Sequence, residues 1–423
     1  MRKIIIALLM LPLEMQAQTL EECQQAAERN YPLIQQYGLI EKTTELTVAN
    51  IQKGWLPQIS ASAQATLQSD VTAFPERMQQ MYEQVGITME GLKRDQYRVG
   101  IDIQQMVYDG GSISSQKEVA RLQGEVQSAQ NEVNIYNVRR RVNEMFFGLL
   151  LLNEQIRLTD SRLRLLESSE EKLASMLRSG IASESDYYNV KAERLNASQG
   201  LTNLQSQRTT LARMLTAFCG IEVKDPTKPL NIDRLNIEHY STRPELRAID
   251  AQLRLSDAQE RALDAALRPK LGVFVQGFYG YPGYNMFEDM MHRRFSLNGM
   301  IGVKLSWNIA PFYTRKNDKA RLNMQREMLG VQRETFLFNN RLEEQQLDED
   351  MQRYSQLLEN DEEIISLRTS IRKAAESKLA HGIIDVNDLI KEINAENAAR
   401  VQHAVHDIEM LKAYYDKKFT TNK

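Results

Sequence analysis

Two aspartates occupy matching positions in a duplicated pattern of this chain. Asp186 and Asp388 each lie six residues after a glycine, Gly180 and Gly382 respectively. Carboxylates that converge at one place concentrate cations and can bind a divalent ion. An acidic residue at the start of a helix is also favoured by the helix dipole alone. The spacing is therefore compatible with a shared carboxylate site or with two ordinary helix starts.

Few other residues suggest chemistry. His403 and His406 stand three apart and could hold a metal, although a solvated helix face is the simpler interpretation. Cys23 and Cys219 could pair in an oxidising compartment or remain two buried free thiols. The sequence contains no P-loop, dinucleotide-binding glycine pattern, CxxC, HExxH or nucleophile elbow. We therefore predict no enzymatic activity, no cofactor and no resident metal.

The sequence repeats itself over more than half of its length. Pro57 and Pro269 are 212 residues apart (269 − 57), and Gly100 and Gly302, with similar neighbours, are 202 apart (302 − 100). Both offsets are even, so each position of a repeated strand keeps its face. Self-similarity over such a period indicates one architectural unit used twice. We place the first repeat at 18–230 and the second at 231–423.

The N-terminus has the features of an export signal. Arg2 and Lys3 precede an apolar stretch over 4–13, and Ala17 is the small residue expected before cleavage. Residues 1–17 are therefore predicted to be a signal peptide. The rest of the chain lacks an apolar run of the ~18 to 20 residues that a membrane-spanning helix needs. Without residues 1–17 the chain has 51 basic and 55 acidic residues, and this net charge of −4 (51 − 55) argues against a nucleic-acid partner.

Four segments alternate apolar and polar residues with a period of two. They are predicted strands over 56–68, 97–108, 270–281 and 295–309, with a polar loop over 69–96 between the first two. The polar positions of this pattern include Ser60, Ser62, Gln64, Arg98, Asp102, Lys304 and Asn308. The aromatic residues that would mark a membrane interface are Tyr97, Tyr279, Tyr281 and Trp307, for which ordinary packing is the alternative. Such strands fit an outer-membrane barrel, but a soluble sheet packed on helices shows the same alternation.

Two long segments are predicted to form coiled-coil helices. Those over 112–178 and 314–380 contain no proline, and their apolar residues recur at alternating spacings of three and four. Each would extend ~100 Å as continuous helix. A glycine turn ends each of them, and a shorter returning helix follows, over 183–218 and 385–419.

These features together resemble the TolC-like outer-membrane efflux channels (outer membrane factors) over nearly the whole mature chain. The supporting motifs are Leu20 to Ala27 with Asn30-Tyr31-Pro32, then Trp55-Leu56-Pro57, Val107 to Gly111, and the two glycine-to-aspartate spacings. Four strands cannot close a barrel alone, and lipid does not tolerate an open sheet edge. The resemblance implies a mainly α fold with β strands. In it a homotrimer forms a twelve-stranded β-barrel continuous with a twelve-helix periplasmic α-barrel.

The resemblance also implies a function. The chain would be the passive exit duct of a tripartite efflux or type I secretion system, in the outer membrane and extending into the periplasm. A periplasmic adaptor (membrane fusion) protein would open it, and an inner-membrane transporter would supply the energy. Drug efflux, metal efflux and protein secretion remain open as alternatives. A soluble periplasmic coiled-coil scaffold is the rival class, but it leaves the amphipathic strands unexplained.

Site residues are also implied by the resemblance. The closed periplasmic mouth would be lined by Asp186 and Asp388, and Lys391 and Glu392 lie one turn further on, where they could pair with them. The predicted adaptor-contact tips are Ser179, Gly180, Ile181, Ala182, His381, Gly382, Ile383 and Ile384. Packing between neighbouring hairpins is the alternative role for these tips.

Overall fold

A computed structural model gives the structure of residues 19–224, 226–229 and 242–422. The predicted signal peptide and the predicted boundary between the repeats lie outside these residues. Within them the helices are α1 Leu20–Asn30, α2 Gln35–Gln52, α3 Glu76–Gln84, α4 Ser112–Arg178, α5 Glu184–Cys219, α6 Pro244–Ala266, α7 Met286–His292, α8 Pro311–Ala380 and α9 Val386–Thr421. The strands are β1 Gln58–Leu67, β2 Asp95–Tyr108, β3 Lys270–Tyr281 and β4 Ser296–Ser306. No helix in the described part of the chain is both long and apolar enough to cross a membrane.

The junction between β4 and α8 differs from its prediction. The strand ends at Ser306 and the helix already begins at Pro311, three residues before the predicted start at 314. Proline is tolerated there because the first turn of a helix needs no N–H donor. Asn308 was predicted to belong to the polar strand face, but it lies beyond the strand. Its Oδ1 instead accepts the N–H of Ala310 at 3.1 Å.

The four strands form one antiparallel sheet in the order β1-β2-β3-β4. The pairing aligns Ile59, Ile103, Val275 and Ile301 across all four strands. Residues aligned in this way share a face, so the alternation read from the sequence becomes one apolar and one polar surface. Within the described residues β1 and β4 are the edges of the sheet.

The chain divides into two compact units. The strand unit comprises residues 38–127 and 250–330, and the helical unit comprises the described parts of 1–37, 128–249 and 331–423. Each unit takes segments from both sequence repeats. In the strand unit this arises from the pairing of β2, from the first repeat, with β3, from the second. The sequence repeat is therefore not the folding unit.

The predicted polar loop over 69–96 is structured. Helix α3 lies inside it, and four residues at one end of the sheet are buried together: Met89, Leu92, Tyr281 and Met290. Val71, Phe74, Tyr82 and Met291 pack against them. We call these eight residues the strand-end cluster. The prediction missed α3 because its helical spacing, Met78, Met81, Tyr82 and Val85, lasts only about two turns within a mostly polar stretch.

The helical unit has its own core. Phe146 and Phe147 of α4 are almost completely buried and pack with Leu20 of α1, Leu215 of α5 and Leu411 of α9. Helices α4 and α5 form one hairpin, and α8 and α9 form a second. The same helical unit carries the tips of both hairpins.

Candidate functional site

The apolar face of the sheet is exposed to solvent in the single chain. The exposed residues on this face are Ile59, Leu67, Tyr97, Val99, Ile101, Val273, Val275, Tyr279, Leu297, Ile301, Val303 and Leu305. The described helices of the strand unit thus leave this face open. An apolar surface of this extent marks contact with a membrane or with another protein.

The opposite face of the sheet is polar and internally bonded. Ser60 lies opposite Asp102, whose Oδ1 accepts a hydrogen bond from Gln276 Nε2 at 2.6 Å. The Arg98 guanidinium stacks 3.7 Å from the centroid of the Phe278 ring, a cation–π contact. Gln64 lies opposite Arg98, Ser62 opposite Gly100 and Lys304 opposite Gly272, so these predicted polar positions share the face.

The predicted aromatic belt divides into two groups. Tyr97 and Tyr279 are exposed, and both lie beside the Phe295 ring, with centroid distances of 6.4 and 5.8 Å. Trp307 is also exposed and donates its indole N–H to the carbonyl of Leu267 at 2.9 Å. Tyr281 does not fit the prediction. It is only 3% exposed, because it turns into the strand-end cluster, where its hydroxyl accepts the N–H of Lys93 at 3.0 Å.

Both hairpin turns have the predicted glycine geometry. Gly180 and Gly382 have φ of 70° and 69°, in the left-handed region that favours glycine. The following N–H groups, of Ile181 and Ile383, donate to carbonyls five residues back at 2.9 Å in each turn. These bonds satisfy the last carbonyls of α4 and α8 and fix the turn.

The tip residues differ in what they present. Ile181 and Ile383, the tip isoleucines, are 72% and 69% exposed. Ala182 and Ile384 are half-buried, because they pack onto the apolar clusters between the hairpins. Ser179 and His381 bond back to carbonyls of their own helices, at 3.1 and 2.7 Å. Among the eight predicted tip residues, the two isoleucines that follow the glycines are therefore the ones with a large exposed apolar side chain.

Asp186 and Asp388, the tip aspartates, both sit in the first turn of a helix. In α5 the Ser183 hydroxyl accepts the N–H of Asp186 at 3.2 Å, and the Asp186 carboxylate accepts the N–H of Ser183 at 3.1 Å. This is a complete capping box. In α9 the N–H of Asp388 donates to the Asp385 carboxylate at 2.9 Å. The helix-start role is thus present in one chain, and each carboxylate remains at the tip level.

Glu392 pairs elsewhere than expected. Its carboxylate lies 3.6 Å from Arg368 of α8, an ion pair between the two helices of the second hairpin. Lys391, on the other side of the same turn, is exposed. In the single chain Glu392 therefore pairs with Arg368, and not with the tip aspartates as the sequence suggested.

A polar network that the sequence did not reveal joins the two hairpins. Arg162 of α4 donates to Glu193 of α5 and, at 2.6 Å, to Asn394 of α9. Asn394 in turn donates to Glu193 at 3.0 Å. We call these three residues the hairpin network. Its members are neither repeat-equivalent nor close in sequence, so only the packing of the helices brings them together.

Glu396, two residues beyond Asn394, is a second buried charge. Burial opposes its ionisation, but hydrogen bonds from Arg400, Thr369 and Arg372 outweigh that effect and hold the pKa of Glu396 below its ordinary value. The carboxylate is therefore a charged anchor between α8 and α9.

The histidine pair of α9 is not a solvated face. His406 is buried, and its Nδ1 lies 2.7 Å from the Asp361 carboxylate. His403 lies 3.6 Å from the same carboxylate. Among the described residues no group of three or more histidine, cysteine or acidic side chains is arranged to hold a metal.

Helix α8 carries an apolar seam that stays exposed in the described part of the single chain. Within the helical unit its exposed members are Val331, Phe338, Leu342, Ile364, Leu367 and Ile371. Their spacing keeps the coiled-coil rhythm of three and four, with gaps.

Comparison with known proteins agrees with this architecture. Residues 15–220 match the family described as "Outer membrane efflux protein". No match was found among curated protein sequences. The family match covers the region of the first predicted repeat.

Solved structures extend the likeness to the second repeat. The outer-membrane channel OprN is 14% identical with a TM-score of 0.69, over 95% of this chain and 89% of its own. VceC from Vibrio cholerae is 12% identical with a TM-score of 0.68, over 95% of both chains. The Campylobacter jejuni CmeC outer membrane channel is 11% identical with a TM-score of 0.68, over 95% of this chain and 85% of its own. At these identities the likeness establishes the fold, a mostly helical chain with antiparallel strands.

Proposed function

We propose, from the premise that this chain belongs to the TolC-like outer membrane efflux protein family, that it forms the exit duct of a tripartite efflux or type I secretion system. As a member of that family it is an efflux channel of the cell outer membrane that extends into the periplasm, and not an enzyme. Assembly from several copies, a closed mouth and opening by an adaptor are the parts of this proposal.

The observation that supports assembly from several copies is the open sheet with its exposed apolar face. In lipid an unpaired N–H or C=O group costs several kcal/mol, so the edges of β1 and β4 need partners there. The simplest partner for each edge is the opposite edge of another copy. Three chains then supply twelve strands and close a barrel, with Arg98, Asp102 and Lys304 on its polar inner face.

The helical unit supports the same assembly. The exposed seam of α8 needs an apolar partner, and a neighbouring copy would provide one. With three copies, the two hairpins of each chain contribute twelve helices to a periplasmic barrel.

The hairpin tips are the proposed docking points for a periplasmic adaptor. Exposed isoleucines on a rigid turn bind well to an apolar groove, because the turn loses little conformational freedom on binding. The chain itself holds no motif for nucleotide hydrolysis. The energy for export would therefore come from an inner-membrane transporter that the adaptor links to the duct.

The tip aspartates would line the closed mouth. Three copies gather six carboxylates at the level of the turns, which would favour cations and narrow the opening. The cap of α5 is compatible with this role, because the hydrogen bond from the Ser183 N–H holds the Asp186 carboxylate at the level of the turn.

Reconstitution of the purified full-length chain tests the proposal. We expect recovery in the outer-membrane pellet without added detergent, a trimer after chemical crosslinking, and ion conductance in planar bilayers. A water-soluble chain that neither crosslinks as a trimer nor conducts would overturn the proposal and favour the periplasmic scaffold. Substrate class is then read from which adaptor co-purifies with the trimer.

A further inference from the structure

We propose that Cys23 and Cys219 form an intramolecular disulfide in the exported protein, which ties the first helix of the chain to the end of the first hairpin. Cys23 lies in the first turn of α1, and Cys219 is the last residue of α5. They are the two cysteines of the whole sequence. The inference rests on export of the chain and not on the proposed duct.

The geometry brings the two side chains together. The Cys219 thiol donates a hydrogen bond to the carbonyl oxygen of Cys23, with Sγ 3.4 Å from that oxygen. Both residues are almost completely buried in the same apolar cluster, beside Leu20, Ala27 and Leu215. A sulfur that reaches the backbone of its partner residue needs little movement to bond with that residue's sulfur.

Neighbouring contacts hold this alignment in place. Asn30 Nδ2, at the end of α1, donates to the carbonyls of Ala217 and Phe218 at 3.2 and 3.1 Å. The rings of Tyr31 and Phe218 stack with their centroids 5.9 Å apart. The C-terminal end of α1 is therefore held against the C-terminal end of α5.

The reaction can begin at either sulfur, and its balance does not depend on the order. With Cys219 as the attacking thiolate, the target is an external disulfide, either a protein disulfide of a periplasmic oxidoreductase or oxidised glutathione.

The exchange balances in two steps. Cys219 Sγ bonds to one sulfur of the external disulfide and releases the other sulfur as a thiolate. Cys23 Sγ then attacks Cys219 Sγ, which forms the internal bond and releases the second external thiolate. The two cysteine protons and two electrons end on the two released thiols. Because both cysteines are buried in the folded chain, we place this exchange before α1 closes over α5.

Thiol counting in the full-length protein tests the inference. Cells are lysed directly into a denaturant that contains an alkylating agent, so that buried thiols also react, and the protein is then purified without reductant and digested with trypsin. We expect no alkylated cysteine and one linked pair of peptides, ending at Arg29 and at Lys224, which separates on reduction. Two alkylated cysteines per chain would overturn the inference, whether or not the protein conducts ions.

Two controls complete the design. Cys23→Ser and Cys219→Ser should each leave one alkylated cysteine and no linked peptide. Denaturing electrophoresis without reductant should show wild-type monomers, and covalent dimers would overturn an intramolecular bond. Reduction should lower the thermal midpoint of the wild type and leave that of the doubly substituted chain unchanged, since only the former has a crosslink to lose.

Discussion

Replacing Ile301 with arginine gives the sharpest test of the lipid-facing wall. Ile301 is the sixth of the eleven residues of β4, lies on the apolar face and is 79% exposed in the single chain. If that face meets lipid, Ile301→Arg places a charge near the centre of the bilayer. If the face packs on protein or meets water, the same change has a different and smaller cost.

The dimensions of β4 set the size of the effect. Eleven residues at ~3.3 Å each span ~36 Å, and a tilt of ~40° projects this to ~28 Å, close to the ~25 Å apolar band of such barrels. If the face meets lipid, the strand crosses the band with Ile301 near its middle. Arginine at the midplane costs about 2–4 kcal/mol per chain. That corresponds to a roughly 30- to 1,000-fold loss in the assembled fraction.

Met300 provides the matched control, because it is the adjacent residue of the same strand and lies on the polar face. Met300→Arg adds the same charge at the same depth, on the proposed inner wall. We expect Ile301→Arg to disappear from washed outer-membrane fractions and Met300→Arg to assemble as trimers. Normal assembly of Ile301→Arg, or an equal defect in both variants, would refute the lipid assignment of this face.

Three further predictions concern the hairpins. Replacing both tip aspartates with asparagine (Asp186→Asn with Asp388→Asn) should raise single-channel conductance, because six carboxylates are then removed from the mouth of the trimer. Ser183→Ala is the control: it breaks the cap of α5 without removing a charge and should leave the conductance unchanged. An unchanged conductance in the asparagine variant removes the aspartates from the mouth. Replacing both tip isoleucines with glutamate (Ile181→Glu with Ile383→Glu) should abolish crosslinking to the adaptor while the trimer persists. The control Asn203→Glu, on α5 away from the tips, should retain crosslinking to the adaptor. Retained crosslinking in the isoleucine variant rules out docking at the tips. Glu396→Gln should lower the free energy of unfolding of the second hairpin by about 1–3 kcal/mol, since the buried Arg372 loses one of its two carboxylate partners and keeps Glu376. Because the folded pKa of Glu396 lies below its unfolded value, its stabilisation is present above the unfolded value and is lost as the pH falls through the folded one. The protection factors of the α9 amides, corrected for the intrinsic exchange rate at each pH, should therefore fall on acidification in the wild type and in Glu392→Gln, but not in Glu396→Gln.

The strands and hairpins were predictable because their signals are local. Alternation with a period of two located β1 to β4, and the pairing of Ile59, Ile103, Val275 and Ile301 is the natural result once the strands are adjacent. The turns depend on a single requirement, a residue in the left-handed region, which glycine meets at Gly180.

The contacts that sequence reasoning missed are non-local. Tyr281 continues the apolar alternation of β3, yet it is buried because residues of a distant loop, Met89 and Leu92, meet it at the end of the sheet. The polar sequence neighbours of His406 favour an exposed position, but its Nδ1 lies 2.7 Å from the carboxylate of Asp361 on the preceding helix. Neither partner is marked by any period in the sequence.

A difference between the two repeats favours assembly from several copies. Helices α4 and α8 share one apolar rhythm and equivalent places in the duplicated pattern. In α4 the chain buries that seam, with Val142, Phe146 and Leu149 inaccessible to water. In α8 the seam is exposed at Phe338 and Leu367. The described part of one chain covers the α4 seam but leaves these two positions of α8 open, so we infer that they need a helix from another copy. If engineered crosslinks at Phe338 and Leu367 formed only within single chains, that need would be met otherwise and the assembly inferred from this seam would be wrong.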